Sequence, residues 1–253
     1  LMFNRSVGWW TFRSVDRVIA LTPTLADMVQ HMGARPERTV VIPGWTEVPS
    51  NQARAKAAGF RDARGLAGKQ LVLFAGRLLP AKGLSYLIQA ARQSQSGPMV
   101  AIAGDEAPGY AGCRDSLVQQ VKRLGLGEQV LFLGHLGRED MEAAYEAADL
   151  FVLPSLGEGL PTAVLEAMAH GKCVLATDVL GNRDVITDGV NGALVEAKNP
   201  TELAHRMDAL LSDDRLRARL GAQARREVEQ NYAPAVVLGK IQDVYREARE
   251  RKR

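Results

Sequence analysis

The chain has 253 residues, 46% hydrophobic and 24% charged, with a formal net charge of +3. That length holds one large or two small domains, and the apolar share is that of a globular protein with a real core. The mild positive charge suits anionic small molecules or an acidic membrane surface as readily as nucleic acid, while the lack of any run of about eighteen apolar residues excludes a membrane-spanning helix.

From the N-terminus, Phe3–Phe12 carries Trp9 and Trp10, and Asp16–Leu21 (DRVIAL) reads as a strand. Thr22 and Pro23 then supply a helix cap and first helical position, and Gly33 stops that helix. Thr39–Ile42 is a second strand, closed by Pro43 and Gly44. A segment this short cannot build a sheet domain alone, so the paired tryptophans read as core residues lacking neighbours. The alanine- and arginine-rich stretch Gln52–Lys69 reads as the polar connection to the rest of the chain.

From Leu71 the pattern changes. Apolar runs at Leu71–Ala75, Met99–Ala103, Val130–Leu133, Leu150–Leu153, Val174–Thr177 and Ala193–Val195 alternate with stretches of helical rhythm. Strand–helix alternation describes βαβ units with right-handed crossovers, and near-continuous Val, Leu, Ile, Ala and Phe describes strands buried on both faces. The expected class is α/β, a doubly wound, Rossmann-like parallel sheet. A last helix runs from Ala233 to Arg249. Its basic end, Arg246–Arg253, reads as a solvated terminus favoured by the dipole, with an anionic membrane surface as the second reading.

Ligands of open parallel sheets bind beyond the carboxyl ends of the strands, so the strand exits are where chemistry is sought. The first exit, Gly76-Arg77-Leu78-Leu79-Pro80-Ala81-Lys82-Gly83, joins a guanidinium and an ammonium to a helix N-terminus, a combination suited to a diphosphate. Neither G-x-G-x-x-G nor G-x-x-x-x-G-K-[ST] occurs, which argues against a dinucleotide fold or a P-loop. Glycine again follows the strands at Gly104 and Gly134, beside Asp105 and His135. The fourth exit carries Glu158-Gly159-Leu160-Pro161, with Pro161 placed in the first turn of a helix Thr162–His170. Within that helix Glu166 sits in an apolar run and is expected to be mostly buried, partnered by the adjacent hydroxyls of a sugar or by Arg77 or Arg183. Glu158 reads either as a ligand contact or as a helix cap.

Together these residues resemble the large family of retaining glycosyltransferases that includes bacterial mannosyltransferases and sucrose synthases. The resemblance runs from about Asp16 to Tyr245: FAGRLLPAKG looks like the family's diphosphate loop, and EGLPTAVLE is similar to its E-x7-E signature. It implies the C-terminal half of a GT-B fold. Residues 1–44 would be a remnant of the acceptor domain, 45–70 a linker and first helix, 71–232 the donor-binding domain and 233–253 a crossover helix. It implies catalytic roles for Arg77 and Lys82 at the donor diphosphate and for Glu158 at the transferred sugar. Glu166 would take the ribose, and Gly76, Gly104, Gly134, Gly159, Leu160, Pro161 and Thr162 would line the pocket, with His135 at the border of the base.

The expected activity is hexosyl transfer from a nucleotide-diphosphate sugar to a sugar, lipid or small-molecule acceptor with retention of configuration, needing no cofactor, no metal and no nucleic acid. The segment alone is expected to be inactive, lacking the rest of the N-terminal domain. The alternative is a non-catalytic nucleotide-sugar-binding module acting with a partner domain. Cys113 and Cys173 show no metal-ligand spacing and suit a reducing compartment, so a cytoplasmic site, peripheral to the inner membrane face in the second reading, is expected. Leu1 and Met2 open no secretory pattern. Departures from the family pattern lie at Pro43-Gly44-Trp45, at Glu106, at Gly171-Lys172-Cys173 and at Asp184.

Overall fold

The computed structural model describes residues 5–49 and 51–250; Phe3 and residues 251–253 of the basic end lie outside the described residues. Helix α1 (Arg5–Ser14) leads into β1 (Val18–Ala20), α2 (Pro23–His31) and β2 (Thr39–Val41), with β1 and β2 paired in parallel. Thr22 Oγ1 accepts the Leu25 amide at 3.2 Å and Pro23 fills the first helical position, so cap and proline start α2 together. Gly33 follows the helix end at φ +110°, where an added Cβ would lie 2.6 Å from Trp9 Cδ1. Trp9 therefore packs on this glycine, yet stays 41% exposed, and Trp10 is 71% exposed. The strands are shorter than the spans Asp16–Leu21 and Thr39–Ile42 because only three residue pairs register, Val18 with Thr39 through Ala20 with Val41.

Next comes α3 (Asn51–Asp62), which makes the first part of the stretch Gln52–Lys69 helical, where a linker and first helix are expected. Phe60 is buried, and the Arg61 guanidinium bonds the Ala147 carbonyl and the Asp149 carboxylate, fixing α3 to the body of the protein.

That body is a parallel sheet of β3 (Leu71–Ala75), β4 (Met99–Ala103), β5 (Val130–Gly134), β6 (Leu150–Leu153), β7 (Val174–Thr177) and β8 (Ala193–Val195). Except for β5, which runs on to Gly134, the strands have the bounds of the apolar runs. Every residue of β3, β4, β6 and β7 is buried, as strands covered on both faces must be. The crossovers are α4 (Leu84–Gln93), α5 (Cys113–Arg123), α6 (Arg138–Ala147), α7 (Thr162–Ala169) and the single-turn α8 (Leu180–Arg183). After β8, α9 (Pro200–Leu211) packs on α4, and α10 (Asp214–Asn231) packs on α7.

The strand order is β5-β4-β3-β6-β7-β8. From β3 the chain moves outward through β4 to β5, then returns to β6 on the other side of β3. With right-handed crossovers this puts α4 and α5 on one face and α6 and α7 on the other. The order reverses between β3 and β6, and a crevice opens there beyond the strand ends.

Helix α11 (Pro234–Glu250) closes the chain by returning to the first sheet. Its buried Val237 and Val244 cluster with Ile42, beside Val40 and Ile241, and Arg17 pairs with Glu247 at 2.8 Å. Among the described residues no helix is long and apolar enough to cross a membrane.

Candidate functional site

The loops leaving β3 and β6 meet at the crevice, and glycine makes the meeting possible. Gly83 ends a 3-10 turn, Pro80–Lys82, at φ +67°, and a Cβ there would stand 1.9 Å from the Pro154 carbonyl oxygen. Gly104 is as constrained, since its Cβ would fall 1.9 Å from the Gly76 carbonyl oxygen. Backbone bonds then lock the exits side by side: Gly76 N–H to the Ala103 carbonyl at 3.0 Å, Leu78 N–H to the Asp105 carbonyl at 2.8 Å, Gly104 N–H to the Gly134 carbonyl at 2.8 Å and Leu156 N–H to the Ala81 carbonyl at 2.7 Å. Donor-capable side chains thus sit on a fixed rim and not on free loops.

Two of the sequence-derived residues come into contact. Lys82 Nζ donates to Glu158 Oε1 at 2.7 Å, and Ser155 Oγ donates to the same oxygen at 2.6 Å. The Glu158 side chain is only 8% exposed and Lys82 22% exposed. Glu158 is therefore held by an ammonium and a buried hydroxyl, and the helix-cap reading does not hold. An ammonium has three protons, so Lys82 keeps donors for a further anion while it holds Glu158. Arg77 lies exposed on the same β3 exit.

The segment 158–160 is pressed from two sides. Beneath it, Gly181 lets α8 approach so closely that a Cβ would be 2.6 Å from the Glu158 and Gly159 carbonyl oxygens. Over it, Leu25 of α2 reaches Gly159, and Leu160 reaches Gly44. Thr24 Oγ1 donates to Asp184 Oδ1 at 2.9 Å, linking α2 to the end of α8. Pro161 is the cap residue of α7 and not part of its first turn, and the helix proper is Thr162–Ala169 with His170 as the C-cap. Thr162 is exposed at its start.

Glu166 departs from expectation. It is exposed, while Val164, Leu165, Ala167 and Met168 around it are buried. This eight-residue helix buries most of its circumference, yet Thr162 and Glu166, four residues apart on one stripe, are exposed. No cation pairs with it among the described residues: Arg183 pairs with Asp178, and Glu166 Oε2 instead accepts the Tyr145 hydroxyl at 2.7 Å. The carboxylate lines a recess of about 410 Å³ with Trp45, Thr46, Glu47, Leu136, Arg138, Met141, Glu142, Tyr145 and His170.

His135 is not among the lining residues; the strand exit contributes Leu136, because the chain turns at Gly134 (φ +66°) and leaves His135 exposed. The outer wall comes from residues 45–47, which are not among the candidate site residues read from the sequence. Thr46 is buried and its amide bonds the Tyr232 carbonyl at 3.0 Å, while Glu47 pairs with Arg138 at the start of α6. That clamp leaves the Trp45 indole half exposed beside the recess. The sequence hint is the tryptophan where the family pattern differs, after Pro43-Gly44. Tyr145 has no such hint, being one aromatic residue in an alanine-rich helix.

Comparisons with known proteins agree on what carries this geometry. The sequence model described as "Glycosyl transferases group 1" matches residues 58–227. A D-inositol 3-phosphate glycosyltransferase of Mycobacterium sp. (strain JLS) is 37% identical over 202 residues, covering 78% of this chain and 45% of that protein. Its counterpart in Xylanimonas cellulosilytica is 34% identical over 253 residues, covering 94% of this chain and 58% of that protein. The chain thus spans about half the length of these relatives. Among solved structures, Anabaena HepE in complex with UDP and glucose superposes with a TM-score of 0.88 at 27% identity, covering 96% of this chain and 67% of that one. Sucrose-phosphate synthase from Thermosynechococcus elongatus superposes with a TM-score of 0.86 at 25% identity, covering 96% and 61%. The doubly wound sheet and its order are those of the C-terminal half of a GT-B fold. Sequence and architecture concur, and the chain belongs to the glycosyl transferases group 1 family.

Proposed function

We propose that this chain forms the donor-binding part of an enzyme that transfers a hexose from a nucleoside-diphosphate sugar to an acceptor hydroxyl with retention of configuration. The observation that carries the reading is the contact of Lys82 with Glu158 at the switch point; Glu166, eight residues further along the chain, opens onto a recess whose lining includes neither of them nor Arg77. In this reading Arg77 and the remaining protons of Lys82 meet the diphosphate. The ribose diol donates to Glu166, and the base lies along Leu136, Met141 and Trp45. Glu158 and the 158–160 backbone face the sugar.

The chemistry asked of these groups is electrostatic. As the bond from the anomeric carbon to the diphosphate breaks, negative charge grows on the leaving oxygen, and fixed cations already in place stabilise it without reorganisation. The acceptor oxygen bonds the same carbon on the same face, and its proton passes to the departing diphosphate. Glu158, tied to Lys82 and Ser155, orients the sugar and attacks nothing. This step draws on no metal ion. The HepE structures support a sugar-nucleotide substrate, being complexes with UDP and glucose and with UDP-glucose. The acceptor site belongs to the part of the fold that this chain does not span, and contact of α11 with an anionic membrane surface stands as a minor part of the proposal.

Calorimetry with UDP, GDP and ADP on this chain tests the binding half of the reading. Turnover by the full-length gene product, with the product anomer read by NMR, tests the rest. Binding to none of the three would overturn the donor site. Binding without turnover by the full-length protein would favour the non-catalytic module.

A further inference from the structure

The hydrogen bond between Tyr145 and Glu166 ties an exposed carboxylate to the protein core. Tyr145 is 2% exposed. Its ring is stacked on His170 with centroids 5.1 Å apart and planes at 22°, and is tilted against Phe151 at 5.7 Å. His170 is fixed in turn, its Nδ1 standing 2.9 Å from Glu146 Oε1. The phenol is thus packed between two rings, and it donates to Glu166 Oε2 at 2.7 Å, with the Ala163 carbonyl a more distant acceptor at 3.4 Å. Burial, then the neighbouring Glu166 charge and the hydrogen bond to it, push the Tyr145 ionisation well above the usual phenol range, so the group stays a donor.

We infer that Tyr145 is a positioning residue for Glu166: it fixes the carboxylate in the orientation that receives a vicinal diol in the recess. A glutamate on an exposed helix face samples several rotamers, and a bidentate contact with two hydroxyls requires one of them. A carboxylate has about four lone-pair sites, and the phenol occupies one on Oε2, leaving Oε1 and the second site of Oε2 for the ligand. Pre-orientation of this kind removes an ordering cost that binding would otherwise bear. The inference rests on the reading that Glu166 takes the ribose, and it assigns a role that no motif carries.

The test separates the two. The tightest binder among UDP, GDP and ADP is compared with its 2′-deoxy form by calorimetry, on wild-type protein, Glu166→Ala and Tyr145→Phe. Tyr145→Phe keeps the ring stacks and the buried volume, and water replaces the lost donor at the exposed carboxylate, so the variant folds and its melting temperature stays near that of the wild type. Wild type should prefer the ribose form by about tenfold or more, the value of a well-made charge-assisted hydrogen bond. Glu166→Ala should abolish that preference, and Tyr145→Phe should reduce it several-fold with most of the loss on the ribose form. A merely structural role would weaken both nucleotides alike, leaving the ratio unchanged, and that result overturns the inference while the ribose reading stands. No ribose preference in the wild type, or one that survives Glu166→Ala, overturns the reading and the inference with it.

Discussion

Lys82 Nζ and Glu158 Oε1 lie 2.7 Å apart, joining the loop that leaves β3 to the loop that leaves β6 where the strand order reverses. The pair is more buried on its acidic side, 8% against 22% exposure, so removing the cation strands a carboxylate with Ser155 as its remaining donor. Lys82→Ala should cost about 1–3 kcal/mol of stability, since a buried group left under-paired loses its compensation. Affinity for a nucleoside diphosphate should fall by roughly 10- to 100-fold, the loss of a charge-assisted contact. The double variant Lys82→Ala/Glu158→Gln should regain much of the stability and none of the affinity. Urea melts and calorimetry read the two effects separately, and a nucleotide affinity untouched by Lys82→Ala would remove that residue from the site.

The loop that carries Lys82 depends on Gly83 for its path. At φ +67°, with a virtual Cβ 1.9 Å from the Pro154 carbonyl oxygen, Gly83→Ala must both strain the backbone and push the β6 exit away. We expect a loss of at least about 2 kcal/mol, since left-handed geometry alone costs an L-residue roughly 1–2 kcal/mol. The nucleotide site should weaken in parallel as Lys82 and Glu158 part. Gly127→Ala is the matched control: that glycine has an ordinary φ and nothing within 4 Å of a virtual Cβ. A denaturation series comparing the two should show the first far below wild type and the second within about 0.5 kcal/mol of it.

Much of the fold is legible in the sequence, and for a physical reason. Strands buried on both faces need unbroken apolar runs, and runs such as Leu71–Ala75 and Val174–Thr177 stand out from the periodic stretches between them. The loop that leaves β3 is legible as a candidate site because glycines and cations crowd into ten residues after such a run. Sequence pattern puts Glu166 on the right helix but in the wrong environment. Its apolar neighbours signal burial of the helix, whereas exposure of one stripe is decided by a recess that forms only once residues 45–47 and α6 are assembled around α7. The same holds for Tyr145, whose hydroxyl acquires meaning from a partner on α7, and for Trp45, whose linker becomes a wall only through Tyr232 and Arg138. Short-range patterns survive in sequence; pairings between distant elements do not.

Trp45 gives the recess an intrinsic probe. Its indole is 51% exposed and borders the recess, while Trp9 and Trp10 belong to α1 on the N-terminal segment. A nucleobase laid against it should quench or shift its emission, and stacking on an aromatic face is worth about 1–3 kcal/mol by substitution. Addition of the best-binding nucleoside diphosphate should therefore change the tryptophan emission of the wild type saturably. Trp45→Phe should abolish the change while retaining a flat ring and most of the affinity, and Trp45→Ala should weaken binding by roughly tenfold. An unchanged signal on saturation, with binding verified by calorimetry, would place the base elsewhere.

The buried core also sets how the protein responds to alkali. Cys173 is 2% exposed at the start of the β7 region, and burial pushes its thiol up to about 12, opposed weakly by the Arg217 charge. In the unfolded chain the thiol ionises near its ordinary value of about 8.5. Between about pH 8.5 and about pH 12 the native state therefore holds a proton that the unfolded state has lost, and stability declines as pH rises, by up to about 1.4 kcal/mol per pH unit from this group. The phenol of Tyr145, raised well above the usual range by burial and by Glu166, adds a second decline above about pH 10. Urea midpoints measured at pH 7.5, 9 and 10 should fall progressively, and Cys173→Ala should flatten the first part of the decline while leaving the second. Because the thiolate is absent from the native state, iodoacetamide at pH 8 should leave Cys173 unmodified until urea exposes it, whereas alkylation of the folded protein at a normal thiol rate would show that the residue is not enclosed as described.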